Sequence, residues 1–450
     1  MSDDSSPEDL PPAYFLSLTV ENVRCFGPEQ TLDLTNDEDR PAQWTVLLGD
    51  NGTGKTTLLQ AIAGMHTVDS FTIEDESEES QRVEPILTIG GEPFLSWRGR
   101  ARRDSFLRVG VKVGFSQGLV GATGQRFKST FEVGTGTSVH LPEEAGIDCI
   151  AYGAARKMGQ KSFDTSERSN VVSLFSEEEV ELSNAEEWLQ ELDYAAKSGK
   201  GRAEKRRKQV EKILADPEKG ILPDVNDFRF AEQKGDYSAP RAEFHTHYGW
   251  VTINQLSLGY RTMIAWVVDL ARRLFERYPE SDNPLAEPAV CLVDEIDLHL
   301  HPKWQRKIID FLSERFPNTQ FIVTAHSPLV VQAAQDANIA LLKRVEVEDG
   351  DDYVEIHNDM EPVGNLRVDQ ILTSDLYGLE SARPPQLDSL LEERQEILSK
   401  SDLTDEDEER LEEIERKIGD LPSGETKEQR DAMGFIKGVA DRLEKEEGTS

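Results

Sequence analysis

Residues 44–57 read Trp-Thr-Val-Leu-Leu-Gly-Asp-Asn-Gly-Thr-Gly-Lys-Thr-Thr, and this stretch decides the fold. Apolar and β-branched residues precede the pattern Gly-x4-Gly-Lys-Thr at 49–56, and a helix-like segment at 58–65 follows it. Strand, glycine-rich loop and helix in this order are the context in which the pattern forms a phosphate-binding loop. A chance glycine-rich turn is the alternative, and the flanking segments argue against it.

The residues of this loop have the chemistry that a nucleoside triphosphate needs. Glycines permit positive φ, so the amide groups of Asn51, Gly52, Thr53 and Gly54 can close around phosphate oxygens. The helix that begins near Lys55 turns the positive end of its dipole toward the same oxygens. The loop is therefore predicted to bind ATP.

Three side chains at the start of the helix are expected to contact the nucleotide or its metal. Lys55 should reach the β- and γ-phosphates, and the Thr56 hydroxyl should ligate Mg²⁺. Thr57 is a further candidate contact beside them. The predicted cofactors are ATP and Mg²⁺.

A second buried strand is predicted at 289–293, where Ala-Val-Cys-Leu-Val is continuously apolar, as in a parallel sheet. It ends at Asp294 and Glu295. A carboxylate at this position can hold Mg²⁺ through its waters, so Asp294 is the predicted metal ligand. Glu295 is placed to polarise the attacking water, which makes it the predicted general base.

A third apolar run, 320–324, predicts another buried strand, which is followed by His326. A histidine here could hydrogen-bond the γ-phosphate and respond to its loss, so His326 is a second candidate catalytic residue. A structural histidine at the surface or in the core is the alternative.

A second anion site is predicted at Ser257 and Gly259, where a long apolar helix begins. Lys55 already serves the first loop, so we expect this site to engage the nucleotide of another subunit. A plain helix cap is the alternative. The prediction is a homodimer or a higher even oligomer.

Net charge, apolar runs and cysteine content limit the classes of protein to which the chain can belong. The net charge is −36, which repels nucleic acid on average, so any contact with DNA or RNA needs a local basic patch. The segment 197–212 is the main candidate, and 98–108 is a second; a solvated face is the alternative for each. No apolar run approaches the length of a membrane span, no secretory leader is evident, and the three cysteines lack metal-ligand spacing. We expect a cytoplasmic protein with no membrane partner.

The chain is predicted to divide into a disordered acidic tail at 1–13, an ATPase domain at 14–345 and a charged, helical C-terminal region at 346–450. Strand-like pieces at 84–89, 108–115, 126–133 and 148–152 suggest an antiparallel β flank. A capping box beginning at Ser183 opens a helical insertion at about 183–240, in which 216–240 is loop-like. Residues 241–253 read as one further strand. Apolar stripes in the C-terminal helices favour packing within the chain over a partner coiled coil.

The ordered motifs resemble the ABC-type ATPase heads of the RecF, SMC and OLD group. The matching segments are 49–57, 256–261, 290–295 and 324–327, and the segment 256–261 is similar to the family signature LSGGQ, departing from it at Leu258 and Tyr260. In that group an arginine after the opening strand contacts the nucleotide, which implies this role for Arg24. The resemblance implies an α/β P-loop ABC ATPase head, but leaves the Q-loop glutamine open between Gln117 and Gln160.

Softer motifs at 151–156 and 368–374 resemble the PtuA ATPase family of Septu-type anti-phage systems, which works with an HNH nuclease, PtuB. No acidic-ended strand of a nuclease domain follows Ala340, so the expected nuclease is a separate chain. The expected function is ATP hydrolysis that regulates this partner. The alternatives are a RecF-like repair ATPase that clamps DNA and an ATP-binding scaffold with little turnover.

Overall fold

Two β-sheets and two helices share the main apolar core. The computed structural model describes residues 13–64, 88–89, 92–93, 107–115, 126–133, 138–140, 149–159, 171–175, 180–199, 201–216, 220, 222, 225–231, 241–348, 350–360, 363–379, 382, 384–400 and 404–418. The strands are β1 (Ala13–Glu21), β2 (Gln30–Asp33), β3 (Trp44–Gly49), β4 (Thr88–Ile89), β5 (Glu92–Pro93), β6 (Leu107–Phe115), β7 (Arg126–Val133), β8 (Ser138–His140), β9 (Cys149–Tyr152), β10 (Arg156–Lys157), β11 (Val180–Glu181), β12 (Asp227–Ala231), β13 (Arg241–Thr246), β14 (Gly249–Thr252), β15 (Ala289–Val293), β16 (Thr319–Thr324), β17 (Asn338–Val345) and β18 (Tyr353–His357). The helices are α1 (Lys55–Gly64), α2 (Val172–Phe175), α3 (Ala185–Lys197), α4 (Gly201–Ala215), α5 (Leu258–Arg277), α6 (Pro302–Gln305), α7 (Ile308–Arg315), α8 (Pro328–Ala333), α9 (Val368–Leu372), α10 (Pro385–Leu398) and α11 (Asp405–Ile418).

The central sheet positions the site. Its strand order is β18-β17-β3-β16-β15-β9, and only the edge strand β18 is antiparallel to its neighbour. Strand β16 therefore lies between the phosphate-loop strand β3 and the strand β15 that ends at Asp294. Because parallel strands end at the same edge of a sheet, the segments after β3, β15 and β16 meet there.

The second sheet is antiparallel, in the order β2-β1-β6-β7-β8. It is joined to the central sheet by Gln320 of β16, whose buried side-chain amide accepts from the Phe15 N–H at 2.9 Å and donates to the Phe15 carbonyl at 2.8 Å. Side chains of both sheets and of α1 form one core cluster, and nine of the ten α1 residues are buried. The predicted α/β P-loop fold with an antiparallel flank is confirmed.

One strand was assigned to the wrong sheet. We predicted that 148–152 belongs to the antiparallel flank, but β9 is the outer parallel strand of the central sheet, paired with β15. All four β9 residues are buried, as expected of a parallel strand covered on both faces. The pairing brings the segment after β9 next to Asp294 and Glu295. Of the predicted strand 84–89, residues 84–87 lie outside the described part of the chain.

The insertion begins with the two predicted helices, α3 and α4, but differs from the prediction in three details. The N-cap of α3 is Asn184, whose side chain accepts from the Glu187 N–H at 3.3 Å, while Ser183 hydrogen-bonds Asp269. Within the segment predicted as loop, β12 forms a strand. The predicted single strand 241–253 is a hairpin, β13 and β14, and it completes a three-stranded antiparallel sheet with β12.

The chain forms two compact units, Met1–Ile371 and Leu372–Ser450. The first unit reaches beyond the boundary we predicted at 345, because β18 pairs with β17 in the central sheet. In the second unit, α10 and α11 are joined by two hydrogen bonds of 2.7 Å from Arg410 to the Glu393 carboxylate. Ile397 and Ile414, one from each helix, are buried. None of the helices that the structure describes is long and apolar enough to cross a bilayer.

Candidate functional site

The phosphate loop has the predicted local geometry. Positive φ values occur at three glycines: 142° at Gly49, 83° at Gly52 and 88° at Gly54. Lys55 Nζ donates to the carbonyl oxygens of Gly49 at 2.6 Å and Asp50 at 2.9 Å. These bonds hold the ammonium group over the loop, where phosphate oxygens would lie.

Burial lowers the pKa of Lys55, and the nearby carboxylates of Asp294, Asp50, Glu295 and Asp297 act in the opposite direction. The ammonium group is thus held in a place that disfavours its charge. A triphosphate would supply negative charge close to it and so restore the pKa.

A chain of three oxygen-bearing side chains links the loop to the neighbouring strands. Thr56 Oγ1 donates to Asp294 Oδ2 at 2.8 Å, and Thr324 Oγ1 donates to Asp294 Oδ1 at 2.7 Å. Asp294 is only 6% exposed, and its carboxylate accepts one hydrogen bond from the start of α1 and one from the end of β16. The two predicted metal-binding residues, Thr56 and Asp294, are therefore in contact.

These two oxygens fit a magnesium ion. Mg²⁺ binds oxygen at about 2.0–2.1 Å in an octahedron, whose edge is then about 2.9 Å. The separation of Thr56 Oγ1 and Asp294 Oδ2, 2.8 Å, matches such an edge. Among the residues described, no group of three or more His, Cys, Asp or Glu could hold a metal ion alone. Mg²⁺ with few protein ligands is completed by phosphate oxygens and water.

Glu295, the predicted base, lies at the start of a tight turn and is half-buried. Its φ is 49°, which is uncommon for a residue other than glycine. The Glu295 N–H donates to Thr324 Oγ1 at 2.7 Å. The same turn contains a second such residue, His299, with φ of 64°.

His326 lies directly beyond β16, the strand between the phosphate loop and the acidic strand end. Its main-chain N–H donates to Asp297 Oδ2 at 3.1 Å, and its side chain is exposed. The location agrees with a contact to the γ-phosphate, while the contact itself stays a prediction.

Arg24, assigned to the nucleotide by resemblance, lies against α1. Its guanidinium donates to Thr57 Oγ1 at 3.3 Å and to Gln60 Oε1 at 3.1 Å. This places a positive charge one turn beyond the phosphate loop. The candidate Q-loop residues Gln117 and Gln160 lie outside the described residues.

Ser257 and Gly259 are at the start of α5, as predicted. Ser257 is exposed and is the N-cap, with its hydroxyl accepting from the Tyr260 N–H at 3.3 Å. Gly259 is required by close packing, because a β-carbon there would overlap the His299 carbonyl oxygen. The helix start thus rests on the turn that contains Glu295, and neither residue contacts the phosphate loop through a recorded hydrogen bond.

The basic segment 197–212 is largely paired within the chain. Arg202 pairs with Glu280 at 3.0 Å and Lys205 with Asp282 at 2.8 Å, while Arg206 donates to the Pro279 carbonyl at 2.8 Å. Further pairs are Lys197 with Asp193, Arg207 with Asp193 and Glu211, and Lys208 with Glu204. These bonds dock α4 on the loop after α5 and reduce the charge available to a nucleic acid, whose binding here stays a prediction. The second basic patch lies almost wholly outside the described residues.

Sequence reasoning missed two groups beside the site. Arg156 donates to the carbonyl oxygens of Asp294 at 2.6 Å and Glu295 at 3.0 Å. Asp269 of α5, fully buried, accepts from Tyr152 at 2.9 Å and from Arg273 at 2.6 Å. The correct sheet assignment of β9 would have indicated both, because Tyr152 ends this strand and Arg156 follows closely.

Comparisons with known proteins find ATPase families and relatives. A family model described as "AAA domain" matches residues 17–219, and one described as "AAA domain, putative AbiEii toxin, Type IV TA system" matches residues 200–332. The chain is 25% identical to the Septu protein PtuA of Bacillus mycoides over 390 residues, which are 86% of this chain and 48% of that protein. It is 50% identical to the retron Ec83 probable ATPase of Escherichia coli over 93 residues, 21% of this chain and 17% of that protein.

The matched part of the chain therefore spans less than half the length of either relative. The predicted resemblance to the PtuA ATPase family is confirmed. Among solved structures, the SMC head domain from Thermotoga maritima aligns with 77% of this chain and 99% of its own, with a TM-score of 0.39 and 12% identity.

Proposed function

We propose that this chain binds ATP with Mg²⁺ and hydrolyses it, and that turnover in a two-fold pair controls a separate nuclease in anti-phage defence. The observation that supports the chemistry best is the 2.8 Å hydrogen bond between Thr56 and Asp294. It joins the phosphate loop to the acidic end of β15 in one place, although the two residues are 238 positions apart.

The loop would hold the triphosphate by replacing bonds that it already makes. The Lys55 ammonium would exchange its two carbonyl acceptors for oxygens of the β- and γ-phosphates. Thr56 and Asp294 would hold Mg²⁺, which supplies positive charge to the phosphate oxygens and fixes their orientation. The amide groups of the glycine-rich loop would complete the anion site.

Glu295 would hold the attacking water and accept its proton. The water oxygen forms a bond to the γ-phosphorus, the bond from that phosphorus to the β–γ bridging oxygen breaks, and ADP leaves with the electron pair. His326, beyond the intervening strand β16, would donate a hydrogen bond to the γ-phosphate. Release of the γ-phosphate after hydrolysis would break this hydrogen bond and free the segment 325–327.

The exposed start of α5 supports the proposed pairing. Ser257 presents a helix N-terminus to solvent, and a triphosphate bound at the phosphate loop of a second copy would supply its anion. Two-fold pairs are the commonest oligomers, and each would contain two composite sites. The shared γ-phosphate would hold the pair together until it is hydrolysed.

The defence role rests on the likeness to PtuA over most of this chain. We propose an HNH nuclease as the protein partner, as the PtuA resemblance implies. The rival role, a RecF-like clamp on DNA, receives little support from the structure, because the basic residues of α4 bind acidic residues of their own chain.

Two substitutions test the catalytic part of the proposal, one expected to lower turnover and the other to weaken ATP binding. Glu295→Gln should lower turnover about 10²–10⁴-fold, as expected on loss of a general base, yet keep ATP affinity. Lys55→Ala should weaken ATP binding itself. Turnover and nucleotide titration measure both, with exposed Asp336→Asn as a control that changes neither. Wild-type turnover in Glu295→Gln protein would refute the base assignment, and a wild-type chain that binds ATP without turnover would favour the scaffold role.

The pairing is tested by mixing two inactive proteins. Ser257→Arg should keep ATP binding at the phosphate loop while it blocks pairing, and Lys55→Ala removes the loop's own cation. A mixed pair contains one composite site in which both motifs are intact, so the mixture should regain part of the turnover. An inactive mixture in which mixed pairs are shown to form contradicts composite sites.

A further inference from the structure

Two peptide groups surround Glu295, and all four of their polar atoms are hydrogen-bonded. On one side, the N–H groups of Glu295 and Ile296 donate to Thr324, at 2.7 Å to its hydroxyl and 3.0 Å to its carbonyl. On the other side, the carbonyls of Asp294 and Glu295 accept from the two terminal nitrogens of Arg156, at 2.6 and 3.0 Å. The guanidinium bridges the peptide before Glu295 and the peptide after it, so it fixes both backbone dihedrals of this residue.

This support matters because the backbone of Glu295 is in an unfavourable conformation. A left-handed φ is unfavourable for a residue with a β-carbon, and only surrounding contacts can maintain it. No hydrogen bond to the Glu295 carboxylate is recorded from the described part of the chain. The backbone at its own α-carbon therefore sets the direction of the Cα–Cβ bond, from which the carboxylate extends.

Arg156 is itself placed with little freedom. It is 5% exposed, and it also donates to the Gly153 carbonyl at 2.8 Å. Gly153 packs so closely on Ser173 that a β-carbon would overlap the Ser173 carbonyl. Burial lowers the pKa of Arg156 to about 10, against the opposing effect of Asp294 and Glu295. A guanidinium with this many constraints acts as a rigid two-pronged donor, which an ammonium group cannot reproduce.

We propose that Arg156 is the positioning residue for the general base: its guanidinium locks the two peptides of Glu295 and so aims the carboxylate at the attacking water. This inference rests on the proposed ATPase function. In this role Arg156 acts only through Glu295.

The test is Arg156→Lys, which keeps the charge but cannot bridge both carbonyls. A misplacement of about 1 Å at a reacting group costs on the order of 100-fold in rate, so kcat should fall by about this factor. ATP affinity should stay within about twofold, because the phosphate loop is untouched. The matched control is Arg315→Lys, a partly buried arginine that pairs with Asp216 at 3.1 Å, and its kcat should stay at the wild-type level.

A double substitution separates positioning from general stability. In Glu295→Gln protein, single-turnover hydrolysis should not fall further when Arg156→Lys is added, because the group that Arg156 aims is already gone. Additive losses would assign Arg156 a merely structural role and overturn the proposal. An unchanged kcat in Arg156→Lys alone would overturn it as well.

Hydrogen exchange gives a readout that needs no nucleotide. The amides of residues 295 and 296 should exchange about tenfold faster in Arg156→Lys, because the turn loses hydrogen bonds that hold it closed. Arg156→Gln is a second variant that keeps one donor group. Failure of both variants to fold would make Arg156 a folding determinant and overturn the proposal. If the wild-type chain shows no turnover, the proposed function fails, and the exchange rates alone decide whether Arg156 holds this turn.

Discussion

The phosphate loop and the turn after β15 both leave the carboxyl end of a parallel strand, and both need backbone at positive φ. In the loop, the positive values belong to glycines at 49, 52 and 54. In the turn, they belong to Glu295 and His299, which have side chains. In the loop, glycines adopt the positive φ values without strain. In the turn, residues with side chains adopt them, so contacts from distant parts of the chain must hold the backbone in place.

The difference teaches where each function is encoded. Glycine gives the loop its shape at no steric cost, so its pattern is visible in eight consecutive residues, 49–56. Glu295 cannot be glycine, because the predicted chemistry needs its carboxylate. Its backbone is held instead by Arg156 and Thr324, which precede and follow it by 139 and 29 positions.

The largest loss of stability should come from replacing a glycine of the phosphate loop. A β-carbon at Gly54 would overlap Cys25 Sγ and lie 2.8 Å from the buried Phe26 ring. Gly54→Ala should lower the free energy of unfolding by about 2–5 kcal/mol, from overpacking together with left-handed strain, and abolish ATP binding.

Gly52→Ala is its matched control, because a β-carbon there meets no atom within 4 Å. It should lose only about 1–2 kcal/mol, the strain alone. Denaturant unfolding measures both proteins. Equal losses would show that packing against Cys25 and Phe26 plays no part.

The next largest effect should come from removing a contact that holds the Glu295 turn from another strand. Thr324→Val removes the hydroxyl that bonds both Asp294 and the Glu295 N–H, each at 2.7 Å. The buried groups left behind should cost about 1–3 kcal/mol in unfolding free energy, and turnover should fall with it.

Thr45→Val is the control for this change. The Thr45 hydroxyl is fully buried on β3, and no partner for it is found among the described residues. Its replacement should be neutral or stabilising, since it removes an unsatisfied polar group. A loss at 45 as large as the loss at 324 would contradict the account.

The smallest expected effect is the stability difference between a glycine and an alanine variant, which should have opposite signs at two sites. At Glu295, with φ of 49°, glycine should give a protein about 1–2 kcal/mol more stable than alanine does. At Glu191, exposed on α3, glycine should be about 1 kcal/mol less stable than alanine. Thermal unfolding of the four variants measures the two differences. The same sign at both sites would show that Glu295 is not strained.

The sequence predicted the parts of the site that local pattern specifies. Lys55 and Thr56 follow from the loop motif, and Asp294 and Glu295 follow from a buried run that ends in carboxylates. The structure adds the direct contact between Thr56 and Asp294. The roles of these residues with nucleotide and metal remain proposals that the substitutions above examine.

The sequence could not predict the contacts that depend on sheet order. The short apolar run at β9 was assigned to the wrong sheet, and this concealed the approach of Arg156 to Glu295. Two acidic partners of α4, Glu280 and Asp282, lie 78 and 77 positions after the basic residues that they bind, so nothing in the sequence indicated that these charges are paired. At α3, Ser183 and Asn184 are both good caps, and the bond from Ser183 to Asp269 leaves the cap to Asn184.

The contact between Gly259 and His299 has a consequence for how motion passes through the protein. There is no room for even one methyl group between the start of α5 and the turn that begins at Glu295. Packed interiors have low compressibility, so a displacement of the turn toward α5 must shift the helix by a similar distance. A rearrangement at Glu295 would therefore reach exposed Ser257 as a rigid-body shift, without a hinge to absorb it.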